Sequence, residues 1–265
     1  MGYNLEADQV EPGQIGLTLY WQALRSPTAQ YDVLLKLINA GYKVWGQQSG
    51  PLPGPFLPLQ WWKPGQIVKD RRTIGLLPAT PPGSYYVEVH VYNPSVEMGL
   101  KPGEDCDILL GPVQIARRAS PAIEDLGMDH PVGAVLGGRV RLLGYNIESG
   151  FRPGDNIHLT LFWQCLEEME QSYTVFTHLV DAGGHIVAQK DNPPVDGLYP
   201  TTKWEMGEIV RDQYDLTIPQ DIAPGEYRLK VGMYLAETGE RLRAVRGKEP
   251  LAENAVTLSP FQVYR

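Results

Sequence analysis

Five histidines (His90, His130, His158, His178, His185) and the aspartates Asp181, Asp191 and Asp212 are the side chains from which acid–base chemistry could be assembled. A glycoside hydrolase needs two carboxylates roughly 5–10 Å apart around a sugar-sized cleft, and loops could bring these three aspartates to that spacing. No motif singles them out. The chain has no H-E-x-x-H, no G-x-S-x-G and no phosphate-cradling glycine loop, so no catalytic residue is assigned. His158 and His178 fall on the polar side of alternating segments, which predicts solvated rings. Asp181 opens the hairpin sequence Asp181-Ala182-Gly183-Gly184. Asp191, Asn192 and Asp196 offer hard oxygens for calcium, but their spacing fits no known loop, so neither metal nor cofactor is expected. Cys106 and Cys165 are too few for a disulfide framework or a zinc site, and both are expected to be buried free thiols.

The elements that must position these residues are written twice. Leu17-Thr18-Leu19-Tyr20-Trp21-Gln22 returns 142 residues later as Leu159-Thr160-Leu161-Phe162-Trp163-Gln164. Positions 17–92 and 159–234 align without a gap, with 24 identities in 76 pairs, far above what unrelated segments give. Asp70 and Asp212 are twins within one Trp-x-x-Gly-x-x-Val-x-Asp frame, which predicts a structural place at a turn or strand end. Trp21 and Trp163 sit mid-strand on the apolar side, while Trp62 and Trp204 are expected to cover a sandwich edge.

Each copy alternates with period two. Ile157, Leu159, Leu161 and Trp163 point one way and His158, Thr160, Phe162 and Gln164 the other, and Pro-Gly and Gly-Gly turns separate about seven strands per copy. The fold class is therefore all-β: two tandem Ig-like or jelly-roll-type β-sandwiches from an internal duplication. The expected boundaries are 1–116 for the first sandwich, 117–137 for a linker rich in Pro and Gly with room for one short ordered piece across Ile123-Glu124-Asp125-Leu126, and 138–265 for the second. The first copy opens on Gly2-Tyr3-Asn4, the counterpart of Gly144-Tyr145-Asn146, without the strand half that precedes it in the second copy. The expectation is a chain cut from a longer protein, with an exposed sheet edge near Tyr3 and Asn4.

Composition narrows the function classes. With 23 basic against 31 acidic residues, a net charge of −8, the chain is not a phosphate-tracking nucleic-acid binder. No run of 18 apolar residues exists to span a membrane as a helix.

Subtracting one copy from the other isolates aromatic residues that the shared core does not require. Tyr42, Trp45, Phe56 and Trp61 replace Gly184, Val187, Leu198 and Lys203, all within one proline-rich stretch. Two readings compete: a stacking platform for a sugar ring, or rings buried between the sandwiches as a cement.

The segments His178-Leu179-Val180-Asp181, Gln189-Lys190-Asp191-Asn192-Pro193-Pro194, Gly197-Leu198-Tyr199-Pro200-Thr201, Trp204 to Asp212 and Pro224-Gly225-Glu226-Tyr227 carry a resemblance. Together they resemble the β-sandwich module that often follows the membrane-embedded part of large bacterial glycosyltransferases of the protein-mannosyltransferase type. The resemblance covers most of 138–265 and, in weaker form, 2–115. It implies a non-catalytic module outside the cytoplasm, associated with the cell envelope, with the membrane domain of the parent chain as a partner. The first copy departs from the pattern, with Lys36, Asn39 and Ser49 in place of His178, Asp181 and Asp191. Any ligand held by His178, Asp181 and Asp191 would therefore belong to the second copy alone. Three functions stay open: a spacer or binding module that recognises glycan, a purely structural interaction domain, and a carbohydrate-active hydrolase. The oligomeric state is also open.

Overall fold

The computed structural model describes residues 2–6, 13–27, 29–52, 58–95, 98–99 and 108–265. The protein is all-β, 53% strand and 7% helical, and what helix there is consists of short 3-10 turns. It divides into two compact units, Met1–Arg117 and Arg118–Arg265.

In the first unit the strands are β1 (Gly2–Glu6), β2 (Gln14–Gln22), β3 (Asp32–Ile38), β4 (Val44–Pro51), β5 (Ile67–Gly75), β6 (Gly83–Asn93), β7 (Met98–Gly99) and β8 (Ile108–Ile115). They form one sheet in the order β1-β2-β5 and another in the order β4-β3-β6-β7, with β8 also on β6. The second unit has β9 (His130–Leu136), β10 (Val140–Ile147), β11 (Asn156–Cys165), β12 (Tyr173–Val180), β13 (Ile186–Asn192), β14 (Ile209–Thr217), β15 (Gly225–Leu235), β16 (Ala244–Arg246), β17 (Glu249–Pro250), β18 (Val256–Thr257) and β19 (Phe261–Val263). Its sheets run β14-β11-β10-β9-β16-β17 and β13-β12-β15-β18, with β19 on β15. Each unit is a sandwich of two antiparallel sheets, and the alternation seen in the sequence sorts side chains between core and outer faces. In β5 every second residue, Val68, Asp70, Arg72 and Ile74, is buried and the others are exposed.

The constant offset is a constant in space as well. β5 and β14, β6 and β15, and the 3-10 turns Leu59–Trp61 and Thr201–Lys203 have the same bounds 142 residues apart. Trp21, Trp62, Trp163 and Trp204 are all buried.

The expected linker at 117–137 is corrected by the structure. Residues 118–129 form a strap over the outer face of the β14-β11-β10 sheet, and β9 then joins that sheet beside β10. The Ser120 hydroxyl accepts the Ile209 amide N–H at 2.8 Å, Leu126 is fully buried, and Arg211 donates to the Leu126 carbonyl at 3.1 Å while lying 4.7 Å over the Phe162 ring. Pro and Gly made the segment look like a connector, yet strap backbone can find partners in side chains such as Arg211 and Asn146 instead of in a ladder.

The twin aspartates are also corrected. Asp70 and Asp212 are not at turns or strand ends; they sit mid-strand, buried, facing the core. Trp21 Nε1 donates to Asp70 at 3.1 Å, and Trp163 Nε1 donates to Asp212 at 3.3 Å. The shared frame is a buried indole–carboxylate pair. The remaining lone pairs are met differently: by Arg72 Nε at 2.9 Å in the first unit, and by the Tyr214 hydroxyl at 2.7 Å and the Val195 amide at 2.8 Å in the second.

Cys165 is a buried free thiol, as expected, and Cys106 lies outside the described residues. Burial pushes the Cys165 thiol up to about 11. Since only the thiolate attacks an alkylating reagent, native protein at pH 8 should label at Cys165 far more slowly than urea-unfolded protein. Equal rates in a stopped alkylation assay would show that this thiol is accessible.

Candidate ligand-binding face

Strand β12 carries the site, because both of its faces are covered. Val175, Thr177 and Leu179 point into the sandwich, and Phe176 and His178 point out, yet all of them are buried. The register places Phe176 between Asp191 of β13 and Gly232 of β15, and His178 between Gln189 and Lys230. Gly232 is what lets the Phe176 ring lie flat on the sheet: a Cβ there would stand 2.5 Å from Phe176 Cζ. The Arg241 guanidinium caps the same ring at 4.3 Å and donates to the Glu253 carbonyl at 3.0 Å. Lys230 reaches both carboxylate oxygens of Glu253 at 2.8 Å.

His178 is therefore not the solvated ring that alternation predicts. It is 7% exposed, tilted against Phe176 with ring centroids 4.8 Å apart. Its Nε2 faces Asp191 Oδ1 at 3.4 Å, and neither atom makes a well-aligned hydrogen bond. Burial lowers the His178 pKa below its ordinary value; Asp191 opposes this and Arg241 reinforces it. Burial thus favours the neutral ring. Burial first, and then the nearby Asp191 charge, hold the Tyr234 phenol above its usual value. Asp191 keeps a quarter of its side chain open to solvent. The result is an aromatic floor, Phe176 with Tyr234, under a rim of alternating charge: Asp191, Lys230, Glu253 and Arg241.

The same outer face in the first unit is built differently. Leu34, Lys36, Glu88 and His90 stand where Phe176, His178, Lys230 and Gly232 stand in the second. His90 Nε2 meets Glu88 at 2.8 Å and Lys36 approaches it at 4.0 Å. His90 replaces the glycine, so this face has no recessed ring.

Other expected site residues are dispersed. Asp181 is a hairpin residue: it accepts the His185 amide at 2.8 Å, and its twin Asn39 accepts the amides of Gly41 and Lys43 at 3.0 Å each. The His185 backbone bond and side chain hold the Asp181 carboxyl below its usual range. Asp181 stands at the tip of the β12–β13 hairpin, Asp191 at the far end of β13, and Asp212 in the core of the other sheet. Asp181 is engaged by its hairpin, and Asp212 by a buried indole, phenol and amide, so the three acids do not share one exposed surface. Asn192 gives its amide to Asp196 at 2.9 Å, and the described residues hold no cluster of three metal-ligating side chains.

The aromatic platform is likewise not assembled. Trp45 is fully buried in the first sandwich, edge-on to Tyr85 at 6.0 Å. Tyr42 and Trp61 are exposed, at 75% and 64%, but one precedes β4 and the other follows it. Tyr42 lies at the β3–β4 turn, whereas Gln60, next to Trp61, hydrogen-bonds Gln30 beyond the opposite end of β3. Phe56 lies outside the described residues. Alternation hid Trp45: it falls on the inward side of β4, where the second copy makes do with Val187.

Phe176, Lys230, Tyr234, Arg241 and Glu253 were not singled out by sequence. The alternation of β12 groups Phe176 with His178, and that was the available signal. Strand register, which brings Asp191 and Tyr234 to them, is not written in any one segment.

No family model matches the chain, and no curated protein matches it. Solved structures similar to it include a glycosyl hydrolase family 2 member from Bacteroides cellulosilyticus, 8% identical with a TM-score of 0.30, where the match covers 88% of this chain and 28% of that one. A β-glucuronidase from glycoside hydrolase family 2 is 9% identical with a TM-score of 0.30, over 90% of this chain and 24% of its own. A membrane-anchored protein from Corynebacterium diphtheriae is 13% identical with a TM-score of 0.26, over 98% of this chain and 58% of its own. The chain spans about a quarter of the length of the two hydrolases it matches.

Proposed function

We propose that this chain is a non-catalytic glycan-binding and spacer module, and that it serves outside the cytoplasm beside a membrane glycosyltransferase of the protein-mannosyltransferase type. The observation that carries the binding half of this reading is the outer face of β12. There a buried histidine and a carboxylate with a quarter of its side chain open share one spot, with rings below and charged groups around them. Sugars present a flat apolar face and a rim of hydroxyls. The half-buried Tyr234 ring takes the first, while a carboxylate, a phenol and a guanidinium take the second, as in sites where a few fixed polar groups orient a ligand on an apolar base. The resemblance over 138–265 supports the setting.

Mixed oligosaccharides titrated into the 15N-labelled chain test the reading. Saturable shifts are expected at residues 176–178, 191 and 234. Saturable binding that moves only residues elsewhere, or no binding at all, would defeat it.

A further inference from the structure

A fully buried ring can serve a ligand only if something moves off it. Phe176 has no exposed surface, and it is covered by the Arg241 guanidinium together with the backbone of residues 252–254. The Asn254 carbonyl oxygen lies 3.1 Å from where a Gly232 Cβ would stand, in the hollow that the Phe176 ring fills. Yet the 3-10 turn Ala252–Asn254 buries none of its own side chains. Its backbone is also strained. Glu253 and Asn254 hold φ at 56° and 51°, in the left-handed region that non-glycine residues rarely adopt. Such conformations persist only where the surroundings impose them, and they recur at ligand clamps.

Here the surroundings are two cations. Lys230 grips both oxygens of the Glu253 carboxylate at 2.8 Å, and Arg241 donates to the Glu253 backbone carbonyl at 3.0 Å. The Lys230 ammonium, by hydrogen bond and by charge, holds the Glu253 carboxyl below its usual range, so this latch is an ion pair. Its two ends differ. The Glu253 side chain is 58% exposed and that of Lys230 only 19%, so the acid can swing into water while Lys230 stays held in the face.

Beside the latch, His178 is 7% exposed, and its Nε2 lacks a hydrogen-bond partner, as does Asp191 Oδ1. Two buried polar atoms thus wait where a hydroxyl would satisfy both. Once Glu253 leaves, Lys230 and Arg241 face Asp191 with one positive charge in excess. A neutral ligand would leave a part-buried cation without a counter-charge, which is costly. A carboxylate on the ligand restores the balance.

We propose that residues 252–254 are a latched lid over Phe176, and that the Glu253 carboxylate stands in for the carboxylate of an acidic oligosaccharide. The inference rests on the glycan-binding reading above and names the class of glycan. The ligand carboxylate displaces Glu253 from Lys230. Arg241 loses the Glu253 carbonyl and swings off the ring, and the sugar face lies on the uncovered Phe176. Ligand hydroxyls reach His178 Nε2 and Asp191 Oδ1.

The probes are galacturonate and mannuronate oligomers and the same oligomers after carboxyl reduction, titrated into the full chain with amide hydrogen exchange read in parallel. The acidic oligomers are expected to bind about tenfold or more tighter than the reduced ones. Their binding should speed exchange at residues 252–255, because the lid leaves. Glu253→Gln should tighten acidic binding about two- to fivefold, since an exposed ion pair no longer competes. Lys230→Gln should weaken it about tenfold and leave the reduced oligomers unaffected. Equal binding of the two sets, no gain in Glu253→Gln, or protection at 252–255 would overturn the lid and leave the glycan reading standing. Binding of neither set, by the parent or by Glu253→Gln, would overturn both.

Discussion

Asp70→Ala is expected to destabilise the first unit by about 3–5 kcal/mol, the range for breaking a buried ion pair by removing one partner. Asp70 is 3% exposed and takes Arg72 Nε on both carboxylate oxygens, at 2.9 and 3.0 Å. The Arg72 side chain is itself only 6% exposed. Without Asp70 its guanidinium keeps the Pro51 carbonyl at 2.6 Å but no counter-charge, and Trp21 Nε1 loses its acceptor. Adding Arg72→Leu to Asp70→Ala should recover part of the loss, because removing a whole buried pair costs less than orphaning one charge. Urea unfolding followed by tryptophan fluorescence measures both. A single variant within about 1 kcal/mol of the parent would show that the pair is not buried as described.

Asp212→Asn should change how the second unit responds to pH. Burial raises the Asp212 carboxyl from 3.8 to about 6, against the opposing hydrogen bonds from Tyr214, Val195 and Trp163. Here no arginine stands by; the twin of Arg72 is Tyr214, which brings no charge. The folded state therefore holds the Asp212 proton more tightly than the unfolded chain does. The stability this contributes is fully present below about pH 4 and is lost as pH rises through about 6. A shift of about two units corresponds to about 3 kcal/mol. The parent-minus-variant difference in unfolding free energy, taken at pH 4.5 and 7.5, isolates Asp212 from the other carboxylates. It should favour the parent more at the lower pH, and a difference independent of pH would refute the raised pKa.

These two aspartates also show how much of the fold was legible. The offset of 142 gave the pairing of twins, the strand alternation and the all-β class, because short-range period and self-similarity are local properties of a sequence. It gave no face for Asp70 or Asp212. A carboxylate amid apolar residues suggests a turn until the indole that pairs with it is seen on the neighbouring strand, 49 positions away. The ordered piece at 123–126 was legible and is a 3-10 turn, but its docking on the sheet was not: the strap's bonds go to Asn146, Ile209 and Arg211, so its own residues show no strand period.

The candidate site was half legible. His178 and Asp191 were named from the segments that carry the resemblance, where the first copy departs from the second, and the structure brings them to 3.4 Å. Asp181 belongs to the same differences but serves a hairpin that Asn39 serves equally well. Subtraction finds what the common core does not require; it does not tell a binding residue from an alternative way to fill space. Trp45 is the clearest case, a ring unique to the first copy that fills its core.

Asp191→Ser tests the binding face most directly, since it installs the residue that the first unit carries at the twin position, Ser49. Asp191 is partly exposed, so the substitution should leave the unfolding midpoint nearly unchanged. Oligosaccharide binding measured by calorimetry on the parent and on this variant is the decisive comparison. The account predicts binding by the parent and a loss of about tenfold or more in the variant, the cost of a charge-assisted hydrogen bond. Equal affinity in the two proteins would contradict it.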